Sequence, residues 1–479
     1  MFYLIILIFV LGYIAIALEH PFKVDKAATA LIIGVLTWSV YILDVEHILS
    51  LGFSPAWESL VAQGKDILNL IKPSLTETQW QNSEWIETVQ TIKEPYHFVI
   101  GELEHHLIDI SEILFFLLGA MTIVEVIDQH EGFKVITDKI KTTNKVKLLW
   151  IIAIITFFMS AILDNLTTTI VMTALLRKLI DDQKTRWFFV SMVVLSANSG
   201  GAWSPIGDVT TIMLWIGGQI TAGAIITRVF LPSLVSMLVP LAIVSFTLKG
   251  NVKRPLRSEH DTSSIPFHEQ LIILGIGVGA LLFVPVFKGI THLPPYMGMI
   301  FGLGIIWIVT ELMHQRKSVD LRRKLSVVNI LRRVETTTVF FFLGILTAVA
   351  CLQSAGHLNI LAGWLNTHLG NVYAINTAIG VLSSIVDNVP LVAGAMGMYD
   401  VALAGATGYN AHFIQDGLFW ELLAYCAGTG GSILIIGSAA GVAAMGIEKI
   451  DFIWYLKKIS LLAFIGYASG ILTYYLMFS

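Results

Sequence analysis

Two apolar stretches of this chain, 148–176 and 372–399, each carry an Asp-Asn pair near the middle: Asp164-Asn165 and Asp387-Asn388. They are 29 and 28 residues long, which fits no ordinary way of crossing a bilayer. One helical crossing takes about 20 apolar residues, and two with a turn take about 40. A single crossing would leave the aspartates in hydrocarbon, and two would run out of chain. The remaining arrangement is a re-entrant hairpin whose tip stops at mid-membrane, buried in protein. Asp and Asn suit such a tip because their side chains bond local backbone in turns and caps.

The rest of the chain makes a membrane setting unavoidable. Ten further stretches qualify as spans: 1–18, 27–48, 111–130, 188–215, 225–248, 269–287, 296–313, 336–352, 418–446 and 453–477. Only 13% of the 479 residues are charged, about half the share in a soluble domain. That excludes an ordinary soluble enzyme, and a net charge of −4 argues against a nucleic-acid partner. The first span lacks a basic start, and Glu19-His20 follow it in place of a small-residue cleavage site. It reads as a permanent span. Cys351 and Cys426 sit in apolar runs and read as buried thiols.

With both hairpins re-entrant, 25 of the 30 Lys and Arg residues fall on one side. The positive-inside rule makes that side cytoplasmic, with both termini on the other. Segment 50–105 holds most of the polar sequence of the outer side, including Trp57, Trp80 and Trp85. It reads as an extracytoplasmic insertion of amphipathic surface helices.

The chain also repeats itself. LFFLLGAMTIVEVI (114–127) matches VFFFLGILTAVACL (339–352), ILDNLTT (162–168) matches IVDNVPL (385–391), and ANSGGAWSPIGD (197–208) matches AGTGGSILIIGS (427–438). The offsets are 225, 223 and 230. The reading is an all-α polytopic fold with a first half at 1–248, a cytoplasmic linker at 249–268 and a second half at 269–479. Each half has five crossings and one hairpin. An odd number of crossings inverts the second half, the signature of a secondary transporter working by alternating access.

The third block falls within apolar helices. Gly200-Gly201 and Pro205 cannot continue an α-helix, and a broken helix frees backbone oxygens suited to Na⁺. Asn198, Ser199, Ser204, Thr210 and Thr211 add side-chain oxygens, as do Thr429 and Ser432 in the second half. Asp164, Asp208, Asp387 and Glu125 lie in membrane stretches that hold no basic residue. A charge there costs at least a few kcal/mol, so a metal cation or a proton must neutralise it. Apolar surroundings favour the neutral carboxyl, so one site can hold either ion in turn. Asp208 aligns with Ser438 and Glu125 with Ala350, so the halves are unequal. Asp164 and Asp208 are therefore the expected carriers of the exchanged proton. Na⁺ is placed at Asp164, Asn165, Ser199 and Asp208, with Thr168 and Asn198 as further neutral ligands. Asp387, Asn388 and Thr429 are the second-half candidates, with capping of a helix end as the rival role for the first two. Glu125 is a candidate proton relay or an interfacial acid. His105 and His106 read as surface histidines, with pH sensing as their sharper alternative. No cofactor is expected beyond the transported ions.

SEILFFLLGAMTIVEVID (111–128), ILDNLTTTIVM (162–172), SANSGGAWSPIGDVTTIMLW (196–215) and VDNVPLVAGAMGM (386–398) resemble the NhaD-type sodium/proton antiporters of the ion transporter superfamily. The resemblance runs from about residue 100 to the C-terminus. It implies a bacterial inner-membrane exchanger of Na⁺ and Li⁺ for H⁺, in a lipid bilayer, active at alkaline pH. It also implies a homodimer in which a scaffold domain holds a moving domain that carries both hairpins and both broken helices. Residues 53–95 look like an insertion relative to that family.

The same-fold rival is a Na⁺-coupled symporter of an organic anion such as a dicarboxylate. Asp at both tips, with no basic residue at mid-span, disfavours it. An intramembrane aspartyl protease would use a Tyr-Asp and a Gly-x-Gly-Asp pair. Tyr399-Asp400 and Pro205-Ile206-Gly207-Asp208 reverse that order and replace the first glycine, so an enzyme is not expected.

Overall fold

A computed structural model of the chain describes residues 1–17, 24–62, 94–137, 139–253, 265–315 and 317–478. Trp80, Trp85 and most of the 249–268 linker lie outside them. The main helices are α1 (Phe2–Ala17), α2 (Lys26–Leu43), α3 (Val45–Ser50), α4 (Pro95–Gln129), α5 (Lys145–Leu163), α6 (Asn165–Leu179), α7 (Gln183–Gly201), α8 (Val209–Ile216), α9 (Ala222–Thr247) and α10 (Phe267–Thr291). They continue with α11 (Pro295–His314), α12 (Thr336–Ser354), α13 (His357–His368), α14 (Val372–Leu382), α15 (Asn388–Met398), α16 (Leu418–Gly430), α17 (Ala439–Glu448), α18 (Phe452–Lys458) and α19 (Ser460–Phe478). Among the described residues there is no strand, only two isolated bridges. Among the described residues, eight helices are long and apolar enough to cross a membrane. Large apolar side chains such as Leu271, Leu282, Val286 and Ile290 of α10 point outward, a surface that water would penalise and lipid accepts. The chain is a multi-pass, all-α membrane protein.

Two compact units divide the chain, and each draws on both halves of the sequence. The first holds 1–111, 336–370 and 393–400. Its centre is the crossing of α2 and α12, where Gly34 meets Gly344. A Cβ on Gly34 would stand 2.7 Å from the Gly344 carbonyl oxygen, so the backbones touch, as small residues permit between membrane helices. Trp38 Nε1 donates to Thr347 O at 2.8 Å across that contact. Phe2, Ile5, Tyr41, Phe98, Val99, Cys351 and Leu358 complete its core.

The second unit holds 112–335, 371–392 and 401–479. In it α9 packs on α19, α5 on α7, α10 on α11, and α6 on both α7 and α17. The α5–α6 pair folds back on itself at Asp164. Lys145 N, at its start, donates to Gly250 O at 3.0 Å, and Asp181 N, just past its end, donates to Lys253 O at 2.9 Å. One short segment thus ties both open ends.

Several boundaries differ from the sequence reading. Span 27–48 breaks at Asp44, which accepts hydrogen bonds from the Met1 amine at 2.9 Å and from the His47 ring. Span 453–477 breaks at Ile459. The third span begins at Pro95, so the end of the 50–105 segment is the start of a 35-residue helix. Its Phe98 packs against Trp57 with ring centroids 5.1 Å apart, so these residues dock on protein. Helix α13, with 12 residues, is too short to read as a span from hydropathy. Helix α5, at 19 residues, reaches about 28 Å, longer than half a hairpin needs.

Candidate functional site

Four backbone breaks of the second unit fall at the Asp-Asn and glycine motifs, each ending one helix and starting another. Two are the Asp-Asn turns, between α5 and α6 and between α14 and α15. The others interrupt α7–α8 after Gly201 and α16–α17 after Gly430. A Cβ on Gly200 would lie 2.2 Å from Phe157 O, and one on Gly430 would lie 2.0 Å from Gly380 O. Only glycine allows α7 to seat on α5 and α16 on α14 this closely. The same hydrogen bond recurs in each pair: Ser160 Oγ donates to Ala197 O at 2.6 Å, and Ser383 Oγ to Ala427 O at 2.8 Å.

These breaks bring helix N-termini together around Asp208. Asp208 is 1% exposed and caps α8, with Oδ1 accepting from Thr210 N at 3.0 Å and Thr210 Oγ1 at 2.9 Å. Asn165, the first residue of α6, donates through Nδ2 to Asp208 Oδ2 at 2.7 Å. Asn388, the first residue of α15, donates to both oxygens at 3.4 Å. Asn198 receives a 3.1 Å bond from Asn165 and donates to Ser432 Oγ at 2.9 Å and to Ser438 Oγ at 3.0 Å. Ser438 caps α17, the position that Asp208 holds for α8. One buried carboxylate therefore gathers the tips of both Asp-Asn turns, and Asn198 reaches across to the second broken helix.

The two first-half aspartates have different jobs. Asp164 has φ 125°, a conformation that costs a non-glycine residue roughly 1–3 kcal/mol. Its carboxylate caps α6, accepting from Thr167 N at 2.7 Å and Thr167 Oγ1 at 2.8 Å. Asp387 accepts from Val389 N at 3.3 Å. Among the described residues, no Lys, Arg or His forms an ion pair with Asp164 or Asp208.

Other expected residues lie apart. Ser199 faces α9, with its hydroxyl donating to Ser236 at 3.3 Å. Thr429 donates to Tyr425 O of its own helix at 2.6 Å. Glu125 is held by Gln129 on α4 at 2.9 Å and joins none of these bonds. The Thr168 hydroxyl is buried. Sequence reasoning underrated Thr210 and Ser438 and missed Ser160 and Ser383. The last two were legible: SAILDN and SSIVDN place a serine four residues before each Asp-Asn pair.

Known proteins resemble this chain in sequence. The profile of the citrate-transporter family matches residues 6–415. Sodium/proton antiporter 1 of Arabidopsis thaliana is 50% identical over 82% of this chain, which spans 66% of that protein's length. Sodium/proton antiporter 2 of the same plant is 47% identical, covering 82% of this chain and 91% of its own. The Na⁺/H⁺ antiporter NhaD of Alkalimonas amylolytica is 30% identical over 77% of each chain. The chain belongs to the NhaD-type sodium/proton antiporter family. Membership makes it a transporter and not an enzyme.

Proposed function

We propose that this chain exchanges Na⁺, and also Li⁺, for H⁺ across a membrane by alternating access at Asp208. The observation that carries the reading is the Asp208 carboxylate itself: buried, with no cationic partner among the described residues, and held there by two side-chain amides, one hydroxyl and one backbone N–H. Turning the Asn165 and Asn388 amides about their last bond would present carbonyl oxygens in place of N–H groups. A cation then fits between two amide oxygens and a carboxylate, all hard ligands. A proton on Asp208 removes the charge and the cation site with it. The two ions take turns, and exchange follows. Asp164 and Asp387 cap the two turns and add negative charge beside the site, Asn198 is an outer ligand through its bond to Asn165, and Ser199 and Thr429, bonded to other groups, are not used in this arrangement.

The resemblance to a citrate-transporter family favours one other reading, Na⁺-coupled uptake of a carboxylate. Helix N-termini attract anions, and four of them start in this cluster. Three already carry an aspartate, however, so the anionic positions are filled by the protein. Cation exchange is the better fit.

The matched Ser160 and Ser383 bonds and the paired glycine contacts support an inverted repeat. The shared tie at Gly250 and Lys253 supports a re-entrant α5–α6 hairpin. Both termini then lie outside, in a bacterial inner membrane, and the functional unit is a homodimer.

The test is exchange in proteoliposomes, read with a pH dye as Na⁺, Li⁺ or K⁺ is added. Na⁺ and Li⁺ should release trapped protons. Labelled citrate or succinate accumulating on a Na⁺ gradient, with no proton release, would overturn the reading.

A further inference from the structure

Helix α6 carries a row of polar residues four apart: Asn165, Thr169, Thr173 and Arg177. Residues at this spacing share one helix face, about 6 Å apart along the axis. Both ends are occupied. Asn165 binds Asp208, and Arg177 Nε donates to Glu448 at 2.5 Å beside Arg186 at 2.6 Å. The middle is different. Thr169 and Thr173 are fully buried, as is Thr168 beside them, and none of the three hydroxyls has a hydrogen-bond partner among the described residues. Buried helical threonines elsewhere in this protein bond back to the preceding turn, as Thr122, Thr156 and Thr429 do at 2.6–2.7 Å. The α6 hydroxyls forgo that bond although α7 and α17 pack over the helix.

A buried hydroxyl without a partner costs about 1–3 kcal/mol, so three on one helix require small polar partners that come and go. The corresponding row on α15 is Asn388, Val392 and Met396. It has no hydroxyls, so only one half of the protein bears the feature.

We infer that Thr169 and Thr173, with Thr168, line a hydrated access path along α6. It runs from the end that carries Arg177, Lys178, Lys184 and Arg186 to the Asp208 site. The Arg177–Glu448–Arg186 clamp closes its mouth. The path deepens the exchange reading and rests on it for its cargo, a small hydrated cation and a proton. Threonine hydroxyls serve both: their oxygens ligate a cation, and their O–H groups continue a water chain.

Two measurements test this. First, T169C and T173C are placed in a C351A/C426A background and treated with a charged, membrane-impermeant thiol reagent on each face in turn. I170C, on the outward face of α6, is the control. The thiol of T173C should react from the basic face and be protected by Na⁺, while that of I170C stays inert. Second, T169V/T173V should lower exchange about fivefold or more with the Na⁺ half-saturation and the melting temperature kept, since the valines remove only unpaired hydroxyls. T169S/T173S should restore the rate. A T173C thiol that reacts from neither face, or full exchange in T169V/T173V, overturns the path and leaves Asp208 exchange standing. Labelling of T173C in a protein that moves no Na⁺ upholds the path and overturns the exchange reading.

Discussion

The Asn165 amide nitrogen lies 2.7 Å from Asp208 Oδ2. It joins the tip of one helical hairpin to the cap of a broken helix 43 residues further along. Asn388 reaches the same carboxylate from the second Asp-Asn turn at 3.4 Å. Asp208 is the centre of this hydrogen-bonded cluster, held more closely by Asn165 than by Asn388.

Asp208→Asn should abolish Na⁺-driven proton release while the protein still inserts. The amide keeps an oxygen to accept from Thr210 but cannot carry the charge. Vesicle exchange should fall roughly a hundredfold or more, equivalent to about 3 kcal/mol in the barrier to exchange. Exchange within a factor of two of the parent would remove Asp208 from the mechanism.

Asn165→Ala and Asn388→Ala should differ in degree. The shorter bond makes Asn165 the stronger contributor. Its loss removes one carbonyl ligand from the proposed cation site and should raise the Na⁺ half-saturation roughly tenfold, about 1.4 kcal/mol. Asn388→Ala should do less. Concentration series at fixed pH read both, and the reverse order would argue that the two amides exchange roles during transport.

Gly200→Ala and Gly430→Ala should each destabilise the fold by about 1–3 kcal/mol. Each new Cβ would press on a neighbouring backbone oxygen. Gly223→Ala near the start of α9 meets open space and should be neutral or slightly stabilising. Thermal unfolding in detergent separates the three.

Glu448→Ala should cost about 3–5 kcal/mol if the clamp behaves as a buried pair. Arg177 is half exposed, which lowers the expectation towards the bottom of that range, while Arg186 is 18% exposed. Unfolding of Glu448→Ala, Arg186→Ala and the double variant would give the coupling. Additive losses would show that the two side chains act independently.

Acid should weaken the start of α7. Asp182, in the loop before it, is held below the usual carboxylate range, first by the Thr185 hydroxyl and then by the Thr185 N–H, which donates at 2.8 Å. A depressed folded pKa gives stability that is present above the unfolded value and is lost as pH falls through the folded one. Asp182→Asn keeps the cap without the charge, so it should flatten the acid limb of the melting-temperature curve. The group is exposed, and the effect will be small. A steeper limb in the variant would contradict the assignment.

Much of the fold was legible because lipid imposes simple rules. Length and hydropathy located the spans, and the Asp-Asn pairs located two breaks within them. The glycine pairs located two more. What the pattern missed follows from packing. At Asp44, where the second span breaks, the carboxylate accepts a hydrogen bond from the Met1 amine, a contact that hydropathy does not record. The start of α4 was read as a surface segment because it is polar, yet Phe98 and Val99 bury on one face of it.

The sequence by itself determined that this chain crosses a membrane many times, that its two halves match, and that aspartates stand in apolar stretches with no basic residue near them in sequence. Those are properties of composition, period and repeat, carried by the residues in order. Only the tertiary structure decided which aspartate is the centre. Asp164 and Asp208 look alike in sequence, each in an apolar run beside threonines. The backbone at Asp164 turns its carboxylate onto its own helix end, while Asp208 is also held by side chains from two other helices. Burial and hydrogen-bond partners come from segments far apart in the chain, and no local pattern encodes them.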